Sequence, residues 1–229
     1  TNCSALTVIG FKAFEGCSLL KKEDFHGLSS EVKFASYAGE YSHEIKGEVA
    51  YGLKLIESMP KKGEPNFEKF LELPDESKLI ESRKIKMYAK DNPDETITIN
   101  EKEVYPKIKE TVEDIIYKVK NGIPTDGMTK EEISIYVDRP EQMRIANAIY
   151  RWISKNISYD DASYHACATF TGTKDQDAIA VFYNKMGICD GFSRLTNLMM
   201  KMAGIPSTYI SSLPGSDGIT HAFNAIYLE

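Results

Sequence analysis

Cys189 stands after Gly187 and before Asp190-Gly191, at the head of a segment whose apolar residues recur at helical spacing: Phe192, Leu195, Leu198, Met199 and Met202. A thiol at a helix start faces unpaired backbone N–H groups and the positive end of the helix dipole, and both favour thiolate over thiol. The same N–H groups can hold the oxyanion that forms when a thiolate attacks an acyl carbon. Gly187 and Gly191 leave room for backbone and substrate to approach. A cysteine nucleophile needs a base, and distance along the chain does not forbid one. His221 follows the turn sequence Pro214-Gly-Ser-Asp-Gly218, at the start of a strand-like run. The chemistry implied by this pair is nucleophilic acyl transfer.

Other candidate groups carry less. The four cysteines are Cys3, Cys17, Cys167 and Cys189, and no two have CxxC spacing. The histidines His26, His43, His165 and His221 form no HxxxH pair. His165 and Cys167 lie close together, but two ligands do not make a metal site, and Cys167 reads as a spare thiol. Met199, Met200 and Met202 read as helix packing, and Trp152 and Tyr159 as core. Asp160 and Asp161 are expected to end a strand or cap the next turn. Neither a metal nor an organic cofactor is implied.

The elements that must hold Cys189 and His221 follow from periodicity and breakers. Ile108, Val112, Ile115, Ile116 and Val119 form a helical stripe, with Pro106 suited to the first turn and Gly122 to the stop. Pro140 opens a second helix with Ile145, Ile149, Trp152 and Ile153 on one face, ending near Asn156 before the strand-like Ile157-Ser-Tyr159. The third helix runs from about Cys189 to a stop at Gly204, with Pro206 beyond it. Ser207-Thr-Tyr-Ile-Ser and His221-Ala-Phe-Asn-Ala-Ile-Tyr read as two strands. Upstream, Arg83-Lys-Ile-Lys and Thr96-Ile-Thr-Ile flank Asp91-Asn-Pro-Asp-Glu and read as a hairpin. Helices followed by antiparallel strands define an α+β class.

Composition narrows the function classes. The chain of 229 residues carries 28 Lys+Arg against 34 Asp+Glu, a net charge of −6, and this acidic balance argues against a nucleic-acid binder that relies on phosphate attraction. At 42% hydrophobic residues it has ample material for a core. No apolar run approaches the roughly 20 residues of a membrane span. The chain begins at Thr1 rather than Met, so a processed or excised piece of a longer protein is expected.

Residues from about Ile149 to Tyr227 resemble the transglutaminase-like superfamily, whose core shares papain-type Cys-His-Asp chemistry. Four phrases carry the resemblance: Trp152-Ile-Ser-Lys-Asn-Ile-Ser-Tyr159-Asp160, Gly187-Ile-Cys189-Asp-Gly191-Phe-Ser-Arg-Leu195, Ala203-Gly-Ile-Pro206 and His221-Ala-Phe-Asn224, in that order. The resemblance implies helices packed on an antiparallel sheet, with Cys189 as nucleophile and His221 as base. Gly191 and Asn224 match positions read as structural. Some relatives use an upstream aromatic donor at the oxyanion, which makes Tyr159 a candidate helper. The family's third member is an Asp on the next strand, expected here beyond Glu229. The implied activity is acyl transfer on amide bonds of a protein or peptide substrate: protease or amidase if water resolves the acyl-enzyme, cross-linker if a lysine amine does. The rival reading is a non-catalytic adhesion or scaffold module with a degenerate fold of this type.

The first 30 residues have a different texture. Cys3-Ser-Ala-Leu6 returns as Cys17-Ser-Leu-Leu20, and Ile9-Gly10-Phe11-Lys12-Ala13-Phe14 stands between them. This segment resembles the Cys-containing leucine-rich repeats of bacterial surface proteins. The resemblance implies a solenoid remnant with Cys3 and Cys17 as free interior thiols, a secreted or cell-surface location, and a repeat surface for an extracellular protein or glycan. The expected organisation is therefore a repeat fragment at 1–30, a connecting region at 31–105 and a transglutaminase-like domain at 106–229.

Overall fold

The computed structural model describes residues 8–9, 33–34, 59–86, 96–123, 139–168, 175–211 and 221–228, with side chains at all of these except 8–9, 33–34 and 165–168. The repeat reading of residues 1–30, including Cys3 and Cys17, lies outside the described residues apart from β1 (Val8–Ile9), which pairs in parallel with β2 (Lys33–Phe34). The side chains of His165 and Cys167 also lie outside them.

The hairpin expected upstream is present as β3 (Arg83–Lys86) paired antiparallel with β4 (Thr96–Ile99). Its inward residues Ile85 and Ile99 pack with Ala180 as a small apolar cluster. Arg83 fastens the hairpin from its edge: its two terminal nitrogens donate to the two carboxylate oxygens of Asp177, each at 2.9 Å. This bidentate geometry is the strongest an arginine offers a carboxylate. The hairpin is thus packed against the C-terminal part of the chain.

Helix α1 (Glu101–Lys120) begins earlier than Pro106 implies. Asn100 caps it, accepting from the Lys102 N–H at 3.1 Å, while its own amide donates to Glu103 at 3.0 Å. This Asn-x-x-Glu arrangement at a helix start outweighs the single ladder bond that Pro106 forgoes inside the helix. The longer helix buries Val104 and Tyr105 in addition to Ile108, Val112 and Ile115. It stops at Gly122, whose φ of 64° suits glycine. There the Ile123 N–H reaches the Lys118 carbonyl at 2.8 Å and the Gly122 N–H reaches Val119 at 3.3 Å.

Helix α2 (Glu141–Asn156) presents Ile145, Ile149 and Ile153 to α1 and to the helix of Cys189. Strand β5 (Ser158–Tyr159) lies within the strand-like Ile157-Ser-Tyr159, and two short helices follow that periodicity does not reveal: α3 (Asp161–Ala168) and α4 (Ala178–Asn184). Asp160 and Asp177 open the two helices. Asp160 accepts from the Ser163 N–H at 2.9 Å, and Asp177 from Ile179 and Ala180, both at 3.1 Å. Strand β6 (Met186–Gly187) then pairs in parallel with β5.

Helix α5 (Cys189–Met202) is the centre of the assembly. Leu195, Leu198 and Met199 are buried as their spacing predicts, while Phe192 and Met202 are only partly so. Met200 is buried as well, because the antiparallel pair β7 (Ser207–Ser211) and β8 (Ala222–Ile226) covers a second side of the helix. Each fully buried side chain of this size contributes about 1.5–3 kcal/mol. Gly204, with φ 72°, closes α5 through the Ile205 N–H to Met200 carbonyl bond at 2.9 Å. Among the described residues no helix is long and apolar enough to cross a membrane.

Candidate active site

Cys189 is the first residue of α5, and its sulfur faces three backbone N–H groups. Two belong to the helix start, Cys189 itself and Asp190, and the third is that of Ala222 at the beginning of β8. The Ala222 contact brings the two distant sequence phrases to one place, since His221 immediately precedes that N–H. His221 is exposed, at the end of β8 nearest the thiol.

The electrostatics differ from the expectation drawn from a helix start alone. Burial pushes the Cys189 thiol above its ordinary range, and the Asp190 carboxylate adds to the rise. The three N–H groups act in the opposite direction without outweighing burial. Asp190 is itself held away from free rotation: the Arg194 Nε donates to it at 2.9 Å, and the Arg194 guanidinium lies 4.8 Å from the Tyr209 ring centre. Burial, and then the hydrogen bond with Asp190, push the Tyr209 phenol up.

The glycines around the thiol do not make room for a substrate, contrary to their sequence reading. A Cβ on Gly191 would overlap the Gln176 Oε1 and come within 2.6 Å of Val181. A Cβ on Gly187 would sit 3.2 Å from Val181 and 3.4 Å from Gln176 Oε1. Side chains from the protein interior occupy this space. Gln176 was not visible as a site residue in the sequence. The pair of glycines flanking Cys189 is the signal that something must fit between them.

Asn224 has the structural part implied for it. Its Nδ2 donates to the Ser193 carbonyl at 2.9 Å and to Thr208 at 3.4 Å, tying β8 to the first turns of α5 and to β7. This fixes the strand that carries Ala222 relative to the helix that carries Cys189. Tyr159 lies opposite Gly187 in the β5–β6 register, and its ring centre is 6.2 Å from that of Phe192. At 47% exposure it is a surface residue beside the site, and the reading of it as core is corrected. Trp152 stacks on Phe182 at 5.6 Å between ring centres, as a packing residue does. Among the described residues no group of three or more His, Cys, Asp or Glu side chains could hold a metal ion.

Comparison with protein families matches residues 127–229 to the transglutaminase-like superfamily. A transglutaminase-like domain therefore occupies this part of the chain, and it contains α2 to α5, β5 to β8, Cys189 and His221. A solved structure described as "Crystal structure of a TGase" is 16% identical, with a TM-score of 0.37. The similarity covers 56% of this chain and 30% of that one, so the chain spans under a third of the solved protein. None of the curated proteins matches the chain.

Proposed function

We propose that the chain carries out cysteine-dependent acyl transfer on amide bonds of protein or peptide substrates. The observation that supports this reading is the Ala222 N–H facing the Cys189 sulfur, one residue after His221 in the chain. In the resting site burial favours the neutral thiol. His221 accepts the thiol proton as the sulfur attacks the amide carbon, and the carbonyl oxygen becomes an oxyanion. The N–H groups at the start of α5 are the donors available to it. The protonated imidazole then gives its proton to the leaving amine, and the acyl-enzyme is resolved by water or by an amine. An acid beyond Glu229, as the family resemblance implies, would orient the imidazole. Tyr159 is the candidate oxyanion helper, supported by its register opposite Gly187. A secreted or surface setting, with a repeat segment that binds a protein or glycan, belongs to the same proposal. The β1–β2 register supports a solenoid coil, since Val8 and Lys33 are separated by a length within the roughly 20–29 residues of one leucine-rich repeat.

The test follows ammonia release from a glutamine-containing peptide, with and without a primary amine, beside Cys189→Ala. Release abolished by Cys189→Ala supports the reading, and amine incorporation assigns cross-linking over hydrolysis. Release at the same rate in both proteins would favour the scaffold reading, as would release in neither when the protein extends to the acid expected beyond Glu229.

A further inference from the structure

Gln176 is a buried polar side chain, 8% exposed, and a buried carboxamide is stable only when hydrogen-bonded. Its Oε1 accepts the Ile188 N–H at 2.9 Å. Ile188 is the residue at the cap position of α5, extended at φ −97° and ψ −174°, and its apolar side chain makes no cap of its own. The peptide that leads into Cys189 is therefore held from a different part of the chain. The same oxygen occupies the space a Cβ would need at both flanking glycines, Gly187 and Gly191. One carboxamide thus bonds the peptide one residue before the thiol and fills the space that side chains two residues before and two residues after it would need.

The choice of a neutral acceptor has a chemical consequence. A carboxylate would accept the same N–H, but it would place a full negative charge beside a sulfur that must become a thiolate. Glutamine gives the geometry without opposing that charge. We propose that Gln176 is a positioning residue for Cys189, holding the Ile188 peptide so that the N–H groups at the start of α5 stay aimed at the sulfur. The kinetic part of this proposal rests on the acyl-transfer reading above; the part concerning the thiol does not.

The experiment uses the full chain with Gln176→Met and Gln176→Glu. It measures thermal unfolding, the pH profile of Cys189 alkylation by iodoacetamide, and kcat and KM on the glutamine peptide. Gln176→Met keeps the volume and removes the acceptor. It is expected to raise the alkylation midpoint and to lower kcat about tenfold or more, with KM within about twofold. Gln176→Glu keeps the acceptor and adds a charge, so its midpoint is expected to rise further. A wild-type midpoint and kcat in Gln176→Met, with only the melting temperature reduced, would overturn the proposal. If Gln176→Met does not fold, Gln176→Ala, which also removes the acceptor, decides by the same midpoint, and an unchanged value overturns the proposal. If the wild-type protein shows no turnover even when it extends to the acid expected beyond Glu229, the acyl-transfer reading falls. The two alkylation midpoints then decide the positioning role by the same criterion.

Discussion

The backbone N–H of Ala222 faces the sulfur of Cys189, so the strand that begins after His221 ends its approach on the first residue of α5. Two segments separated by the whole of α5 and β7 meet at that contact. The thiol is poised between opposing influences there: burial and the Asp190 carboxylate favour its neutral form, and three N–H groups favour its charged form. Burial prevails.

A pH dependence follows with a definite sign. Because the folded state holds the Cys189 thiol above its ordinary value, ionising it costs more in the folded protein than in the unfolded chain. The unfolded state therefore releases this proton first as pH rises, and stability is lost between the ordinary thiol value and the raised folded one. The melting temperature of the wild type relative to Cys189→Ser is expected to be flat at lower pH and to fall across this alkaline window. Iodoacetamide labelling of Cys189 should climb over the same range. A labelling midpoint below that of a free thiol would show that the imidazole or the helix start prevails after all.

Gly191 admits no side chain. The Cβ of Gly191→Ala would overlap the Gln176 carboxamide and Val181, and overpacking at such a site costs about 1–3 kcal/mol. Relief would come from moving Gln176 off Ile188 or α5 off its seat. Gly191→Ala should therefore lower both the melting temperature and the labelling rate of Cys189, whereas Gly204→Ala should lower the melting temperature alone. A Cβ on Gly204 would meet no atom within 4 Å, so the substitution suffers only from the positive φ.

Much of this framework was legible in the residues. The stripes of α2 and α5, the glycine stops and the two strands after Pro206 rest on local rules: periodicity, capping and β-propensity. What was not legible depends on contacts between distant parts of the chain. α4 has only seven residues, too few for a periodic pattern, and its one local sign was Asp177 at its cap. Pro106 drew the start of α1 inward, although Asn100 and Glu103 carried the stronger signal. The direction of the Cys189 thiol could not be read from its place on a helix, because burial is set by β8 and by the Gln176 segment. Gln176 itself has no local signature at all, and only the paired glycines point to it.

Asn224 tests the joint between the strand and the helix. Asn224→Ala removes the donor to the Ser193 carbonyl and leaves a partly buried acceptor without it, at a cost of about 1–3 kcal/mol. Since this bond aligns β8 on α5, turnover is expected to fall by more than the loss of folded protein accounts for. Circular dichroism and kcat measured well below the melting temperature separate the two effects. Turnover that follows the folded fraction alone would make Asn224 a stability residue only.

Arg83 tests whether the upstream hairpin is an integral part of the same body. Its guanidinium joins β3 to the residue that caps α4. Arg83→Met is expected to cost about 1–3 kcal/mol, because Asp177 loses a bidentate partner in a partly buried setting. Unfolding should remain a single transition. Two separate transitions in calorimetry would mean that the hairpin melts apart from α4.

Tyr159 is the remaining side chain whose part in the chemistry can be decided cleanly. Its backbone lies opposite Gly187, and its ring is near Phe192 and Tyr164, with 6.3 Å between the centres of the two tyrosine rings. Tyr159→Phe preserves those ring contacts and deletes only the hydroxyl, and circular dichroism measures what that deletion does to the fold. If the hydroxyl donates to the oxyanion, its loss acts on the transition state and not on substrate binding. The expected result is a fall in kcat of about 10²-fold with KM nearly constant, the scale seen when a single oxyanion donor is removed. Tyr159→Ala should add a stability loss from the missing ring without a much larger fall in kcat. A Tyr159→Phe protein with wild-type kcat would confine this residue to packing beside the site and leave the proposed oxyanion to the N–H groups at the start of α5.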